Sequence, residues 1–228
     1  MPKERFFTSS PLHGQAEVII SDQEYHHLLH VMRMEEGEEV ELVNGQGILA
    51  KGTIQRLAKK EGVIVLKEVL ETPKPQKNLI LYQALPRLQR LDFIVEKGTE
   101  LGMTHLYLFP GEKSERKSLA PKQIAGLQDQ AIAALKQCGR LWMPVIEMIP
   151  QIEKWSPFEI PTFYGDLNAK EPLQHQTGSS AVCIGPEAGF SPAELEHLKA
   201  LGGQGRLLHE NILRTETAAI AALVLLGI

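Results

Sequence analysis

Cysteine is scarce. Cys138 and Cys183 stand far apart with no C-x-x-C spacing, which excludes a paired-thiol redox motif and a zinc ribbon. Each falls in an apolar helical or strand pattern, so both are expected to be buried free thiols. No apolar run approaches the roughly 18 residues of a membrane span. Met1 to Phe7 lacks the apolar core of a secretion signal, so a cytoplasmic protein that does not enter the membrane is expected. Phosphate-cradling signatures are missing too: there is no G-x-x-x-x-G-K-S/T, and neither Gly45-Gln-Gly47 nor Gly203-Gln-Gly205 extends to G-x-G-x-x-G. No G-x-S-x-G nucleophile elbow occurs. Nucleotide-phosphate chemistry and an α/β-hydrolase site are thereby disfavoured.

A surplus of positive charge is also lacking. The net charge is −4, which on its face argues against nucleic acid, since phosphate binding rests on clustered Lys and Arg. The distribution is uneven: residues 1–72 hold 8 basic and 12 acidic side chains, and the remainder is balanced at 16 of each. Between Lys113 and Arg140, the six cations Lys113, Arg116, Lys117, Lys122, Lys136 and Arg140 face only Glu115 and Asp129. Such a run is either a solvated face or a phosphate-binding one.

What is present divides the chain in two. Arg5–Phe7, Glu17–Ile20, Val40–Val43, Gly47–Leu57 and Val63–Val69 read as short strands, with Asn44-Gly45 as a hairpin turn. Ser21-Asp-Gln-Glu24 is a capping box opening a helix to about Met34. A small β-barrel with one helix, residues 1–72, is expected. The prolines of Thr72-Pro-Lys-Pro-Gln-Lys-Asn78 break both patterns and make residues 73–78 a linker. In residues 79–228, strands (Leu79–Leu85, His105–Phe109, Ile160–Tyr164, Ala181–Ile184, Gly205–His209) alternate with helices (Leu91–Leu101, closed by Gly102, then Ile124–Cys138). An α/β domain with a mostly parallel sheet follows. His26 and His30 lie one helical turn apart, but no third ligand is placed by a recognisable motif, and no metal is expected.

The C-terminal stretch carries the chemistry. Ala181-Val-Cys-Ile184 is a buried strand that Gly185, Pro186 and Gly189 stop, and Ser191-Pro-Ala-Glu194 is a second capping box, with proline at the first helical position. After the next strand comes a second loop, and Thr215 or Thr217 can cap the last helix, Ala218–Leu226. Both loops leave the C-terminal ends of strands, where open α/β sheets bind ligands. That last helix is apolar all round and must be buried.

Ile184-Gly-Pro-Glu-Ala-Gly-Phe-Ser191 and Ile212-Leu-Arg-Thr-Glu-Thr-Ala218 resemble the two signature loops of the SPOUT methyltransferases, specifically the RsmE family. Further blocks recur in order: Tyr25 to Arg33, Val95-Glu-Lys-Gly-Thr-Glu-Leu-Gly102, Ser114-Glu-Arg116, and Lys136-Gln-Cys-Gly-Arg140 before Pro144. The resemblance thus spans nearly the whole chain. It implies a PUA-like, RNA-binding β-barrel followed by a trefoil-knotted SPOUT domain that dimerises with a second copy and uses S-adenosylmethionine to methylate N3 of a uridine in 16S ribosomal RNA. On the same resemblance the cofactor residues are Tyr164, Gly165, Ile184, Gly185, Pro186, Glu187, Ala188, Gly189, Phe190, Leu208, Ile212, Leu213, Thr215 and Thr217. The RNA residues are Arg5, His27, Arg33, Lys113, Arg116 and Arg140, and the catalytic pair is Arg214 and Glu216.

Methyl transfer from a sulfonium needs little beyond alignment, whereas uridine N3 must also lose a proton, which calls for a base or for a cation that favours the anion. Arg214 could stabilise that anion or hold the target phosphate, and Glu216 could be the base or the partner that orients Arg214. The chain departs from the family pattern at Ala188 and His209, where glycine is usual. If either position needs φ > 0, its Cβ costs about 1 kcal/mol and disturbs the cofactor pocket. A non-catalytic RNA-binding or ribosome-assembly factor with a blocked site is then the alternative.

Overall fold

Runs of alternating or continuous apolar residues set the strands of two sheets, and the computed structural model describes residues 4–227 of them. The chain divides into two units, one formed by residues up to Lys74 together with Leu135–Met143, the other by Pro75–Ala134 and Pro144 onward. The return of Leu135–Met143 to the first unit had no signal in the sequence, where residues 79–228 read as one run.

In the first unit, β1 (Arg5–Phe7), β2 (Glu17–Ser21), β3 (Glu39–Val43), β4 (Ile48–Leu57) and β5 (Glu61–Glu71) form a sheet in the order β1-β3-β4-β5-β2. Only the β1–β3 pair is parallel. Among the described residues no ladder joins β1 to β2, and the sheet is a half-barrel. Its curvature comes from β4, whose register against β5 shifts at Lys51/Gly52 and again at Ile54/Arg56. Gly52 is required at the first shift, because a Cβ there would lie 2.6 Å from Ile64 Cγ2 and 2.7 Å from the Val65 carbonyl. Phe6, Leu12, Ile20, Leu28, Leu42, Ile54 and Ile64 fill the core.

The helix expected from Ser21 to about Met34 is shorter and wider. It runs as α1 (Asp22–His26) into a π-helical turn over His27–Val31, marked by the i→i−5 bond from Met32 N–H to His27 O at 2.9 Å. Ser21 makes no cap bond, because Glu24 is engaged elsewhere: its carboxylate accepts from Phe7 N–H at 2.9 Å and pairs with Lys136 Nζ at 2.6 Å.

In the second unit β6 (Leu79–Ala84), β7 (His105–Phe109), β8 (Val145–Met148), β9 (Thr162–Gly165), β10 (Ser180–Ile184) and β11 (Gln204–Arg206) form a six-stranded sheet. Its order is β11-β9-β10-β6-β7-β8 and every pair is parallel. The helices are α2 (Leu88–Glu100), α3 (Pro121–Cys138, whose last residues belong to the first unit), α4 (Pro192–Ala200) and α5 (Thr215–Gly227). Register places Tyr164, Cys183, Tyr82 and Tyr107 in one row across the sheet, a row that α4 and Trp155 help to cover. α2 and α5 pack on each other and α5 lies against β6 and β10. Because β7 and β8 extend from β6 to one side while β10, β9 and β11 lie on the other, the strand order reverses beside β6. A crevice opens at that edge.

Two details differ from expectation. The strand after α4 ends at Arg206 rather than His209, since Leu207 only bridges to Pro172. Cys138 is exposed, whereas Cys183 is fully buried, and burial pushes its thiol far above the ordinary range, which leaves it inert.

Candidate functional site

At the C-terminal ends of β9 and β10, three loops enclose a cleft of about 560 Å³. The first loop follows β10. Gly185 sits where a Cβ would come within 3.1 Å of Phe190 N and 3.3 Å of Gly189 C, so any side chain there would press on the returning loop. Gly189 closes the turn with φ 70° and an N–H bond of 2.8 Å to Pro186 O. The capping box then forms in full: Glu194 N–H donates to Ser191 Oγ at 3.1 Å and Ser191 N–H to Glu194 Oε2 at 2.7 Å. Glu194 Oε1 also accepts from Glu112 N–H at 2.8 Å, which fixes the loop after β7 against the same helix start. Lys113 spans the gap, its ammonium donating to Phe190 O at 3.0 Å.

The second loop, Leu208 to Arg214, leads into α5. Neither Thr215 nor Thr217 caps that helix: it starts at Thr215, with Ala218 N–H bonded to Arg214 O at 2.8 Å. Thr215 is used to join the loops. Its hydroxyl donates to Gly185 O at 2.8 Å and accepts from the buried Gln83 Nε2 at 3.0 Å, and Gln83 Oε1 is left buried without a partner. The third loop, after β9, adds Gly165, Asp166 and Leu167.

Of the residues named for the cofactor, Gly165, Ile184, Gly185, Pro186, Glu187, Ala188, Gly189, Phe190, Leu208, Ile212, Leu213 and Thr215 all line this cleft. Tyr164 does not, because its side chain is 2% exposed and packs with Ala84, Phe109, Cys183 and Leu198. Thr217 is exposed and faces away from the lining. Ala188 and His209 both line the cleft, and neither has positive φ, since Asp22 and Arg33 are the only non-glycine positive-φ residues among those described. The feared strain is absent. Leu167 and Ile212, 59% and 82% exposed, leave large apolar surface bare at the rim. Backbone amides and carbonyls beside apolar walls suit an adenosine-bearing ligand.

Arg214 is exposed in the lining and forms no ion pair among the described residues. Glu216 instead pairs with Arg90, Nη1 to Oε2 at 3.3 Å, and Arg90 Nε lies 3.5 Å from Glu187 Oε1. Arg90 was missed in the sequence. The available signal was its place one turn into the helix that follows Leu85-Pro86, at another strand's C-terminal end.

Known families place the chain as a whole. The model of an RNA methyltransferase domain matches residues 72–227, and that of an RNA methyltransferase PUA domain matches residues 20–67. The ribosomal RNA small subunit methyltransferase E of Aquifex aeolicus is 30% identical over 218 residues, 92% of this chain and 93% of that protein. This chain belongs to the small-subunit ribosomal RNA methyltransferase E family. The family member from Neisseria gonorrhoeae, solved bound to S-adenosyl methionine, superposes with a TM-score of 0.87 at 27% identity, over 98% of this chain and 96% of that one. A Legionella pneumophila methyltransferase in complex with the same cofactor gives 0.86 at 25% identity, with the same coverage. As in the expected methyltransferase fold, a PUA-like half-barrel accompanies an α/β unit with a SPOUT-type parallel sheet.

The residues named for RNA fall in both units of this methyltransferase. In the first, Arg5 is largely buried: its Nε bonds Glu41 Oε2 at 2.8 Å and the two side chains are only 12% and 10% exposed. His27 sets its ring edge against Phe6, with centroids 6.0 Å apart. Arg33 is exposed with φ 55° just past the π-turn, and Arg140 is half-buried, which draws its guanidinium below the usual range. In the second unit Lys113 is engaged with Phe190 O, while Arg116 lines a small hollow with Pro86, Arg87 and Glu115. The His26 and His30 rings lie 4.9 Å apart with their planes tilted by 51°, and among the described residues no trio of His, Cys, Asp or Glu is placed to hold a metal. No helix among those described is long and apolar enough to cross a membrane.

Proposed function

We propose that this chain transfers the methyl group of S-adenosylmethionine to N3 of a uridine in small-subunit ribosomal RNA. The observation that carries the reading is the cleft itself, where both signature loops converge on one apolar, backbone-lined space at the reversal of strand order. The cofactor brings a methyl group already activated on a sulfonium. Ile184, Leu208, Ile212, Leu213 and Phe190 would enclose the adenosine and exclude water, and the backbone of Gly185 to Gly189 would give it hydrogen-bond partners. Arg214, exposed in the lining and without an ion pair among the described residues, would face the RNA. There it would hold the uridine anion or the neighbouring phosphate, while Glu216 takes the N3 proton or orients Arg214.

Support for a homodimer comes from α5. Its buried face carries Ala219, Ala222, Leu223 and Leu226, whereas Ile220, Ala221, Val224 and Leu225 are only partly covered within one chain. A second copy would bury them, and sedimentation at micromolar concentration tests this.

Single-turnover kinetics test the chemistry. Arg214→Ala should leave cofactor affinity nearly intact and lower the rate on saturating RNA by about 10²-fold to 10³-fold. If Arg214 stabilises the anion, raising pH partly rescues the variant, because solution then removes the N3 proton; a phosphate grip gives no rescue. Wild-type protein that binds no S-adenosylmethionine at millimolar ligand would overturn the enzyme reading. Unmethylated uridine in ribosomal RNA from a gene-deletion strain, detected by nucleoside mass spectrometry, would support it.

A further inference from the structure

Arg90 ties the loop after β10 to the first turn of α5, the helix that the second loop leads into. It lies one turn into α2, and its guanidinium reaches Glu187 on the loop after β10 through Nε (3.5 Å) and Glu216 at the start of α5 through Nη1 (3.3 Å). The three side chains are 26%, 25% and 17% exposed, so the cluster is shielded, unlike the Arg87–Glu115 pair nearby, whose side chains are 62% and 67% exposed. Glu187 has a second tie to the same helix start, accepting from Arg87 N–H at 3.3 Å. Without a cation between them, the carboxylates of Glu187 and Glu216 would repel each other beside the cleft. A guanidinium is suited to this position because its planar fork can offer separate N–H groups to two acceptors at once, which an ammonium on a flexible stem does poorly.

We propose that Arg90 is a positioning residue, a clasp that ties the cofactor loop through Glu187 to the first turn of α5 through Glu216 and so couples cofactor binding to alignment of the Arg214–Glu216 pair. This rests on the methyltransferase reading above. Two consequences separate a clasp from an ordinary structural ion pair. Losing Arg90 affects both cofactor affinity and turnover, and each effect depends on a different carboxylate.

The experiment is a pair of double-mutant cycles on the full-length chain. S-adenosylmethionine affinity is read by calorimetry without RNA, and single-turnover rate is read at saturating cofactor. Arg90→Met, which keeps the apolar stem, should weaken cofactor binding about ten-fold and slow turnover about ten-fold, in line with couplings between directly contacting charges. Glu187→Gln should be non-additive with Arg90→Met in affinity, and Glu216→Gln non-additive with it in rate. Arg90→Lys should fall between wild type and Arg90→Met in both readouts. If Arg90→Met lowers only the unfolding temperature and leaves affinity and rate at wild-type values, the clasp is wrong and the cluster is structural. Should Arg90→Met fail to fold, Arg90→Lys still decides, since wild-type values in both readouts would overturn the need for a fork. Wild-type protein that fails to bind the cofactor sinks the methyltransferase reading and the clasp with it, whereas wild-type binding with additive cycles sinks the clasp alone.

Discussion

The chain passes from strand to helix after β2 and again after β10, and the two junctions spend the same Ser-x-x-Glu motif on different tasks. After β10 a glycine loop intervenes, and Ser191 and Glu194 satisfy each other's amides while Glu194 also anchors Glu112. After β2 there is no loop. Asp22 turns the chain directly with φ 52°, Ser21 Oγ bonds only the Asp22 carboxylate, and Glu24 reaches away to Phe7 N–H and Lys136. A carboxylate goes to the unsatisfied donors that the surrounding fold brings to it. In the α/β unit those donors belong to the helix start and a neighbouring loop, so the motif shapes a cleft; in the half-barrel they belong to an edge strand and a lysine, so it holds the fold together.

The largest test of that difference is steric. Gly185→Val should press a branched side chain against Phe190 N and Gly189 C, which a bare Cβ already approaches to 3.1 and 3.3 Å, and cofactor binding should fall by about 10²-fold, the scale of an overpacked core. Ser21→Val, at the exposed end of β2, should leave cofactor affinity unchanged. Equal affinities in calorimetry for wild type and Gly185→Val would mean that the loop does not floor the binding site.

Glutamate removal comes next. Glu194→Ala strips acceptors from Ser191 N–H and Glu112 N–H, and Glu24→Ala strips them from Phe7 N–H and Lys136. Each donor left unpaired costs about 1–3 kcal/mol, so both variants should lose stability in urea titrations by about 2 kcal/mol or more. Only Glu194→Ala should also weaken cofactor binding. Equal loss of affinity in both variants would erase the distinction between the junctions.

The same contrast explains what was legible in the sequence. Ala181–Ile184 was readable as a strand because it is buried on both faces of a parallel sheet and appears as a continuous apolar run. His105–Phe109 was readable because Leu106, Tyr107, Leu108 and Phe109 keep the pattern, although His105 and Tyr107 are only partly covered. The first signature loop was readable as a break because Gly185, Pro186 and Gly189 stop the strand, whereas the second, Ile212 to Ala218, carries no glycine or proline and stood out only by its likeness to the family motif. The Val145–Met148 strand was not, since it is a half-covered edge with Glu147 in its middle. Nor was the π-turn over His27–Val31, whose cause is tertiary: Tyr25 and Leu28 are buried together while Tyr25 Oη bonds the Ala58 carbonyl. Tyr164 and Cys138 were misplaced for one reason, namely that a local pattern says whether a residue is apolar but not which face of the sheet or helix is covered. Arg90 escaped notice because its two partners lie about a hundred residues or more further along the chain.

The serines sharpen the comparison at lower energy. Ser191→Ala removes an N-cap acceptor and should cost about 1 kcal/mol. Ser21→Ala removes a hydroxyl that caps nothing and should change stability by no more than about 0.5 kcal/mol, the range of an exposed surface site. A loss of similar size at Ser21 would show that its bond to the Asp22 carboxylate supports the turn.

The smallest effect is conformational. Asp22 and Gly189 occupy the same left-handed region, φ 52° and 70°, one at each junction, and only the second is a glycine. Asp22→Gly relieves the contact between Cβ and the following carbonyl, which for most residues costs about 1–2 kcal/mol and for aspartate less, but it also frees the unfolded chain, which returns part of that gain. A net stabilisation of about 0.5 kcal/mol is expected. The converse change, Gly189→Ala, meets no atom within 4 Å, so its cost is backbone strain alone, about 1 kcal/mol. Urea midpoints measured for both variants settle the sign. If Asp22→Gly destabilises instead, the Ser21 Oγ bond to Asp22 Oδ2 at 2.8 Å outweighs the strain, and the β2 junction is held by its own side chains as firmly as the β10 junction is held by its capping box.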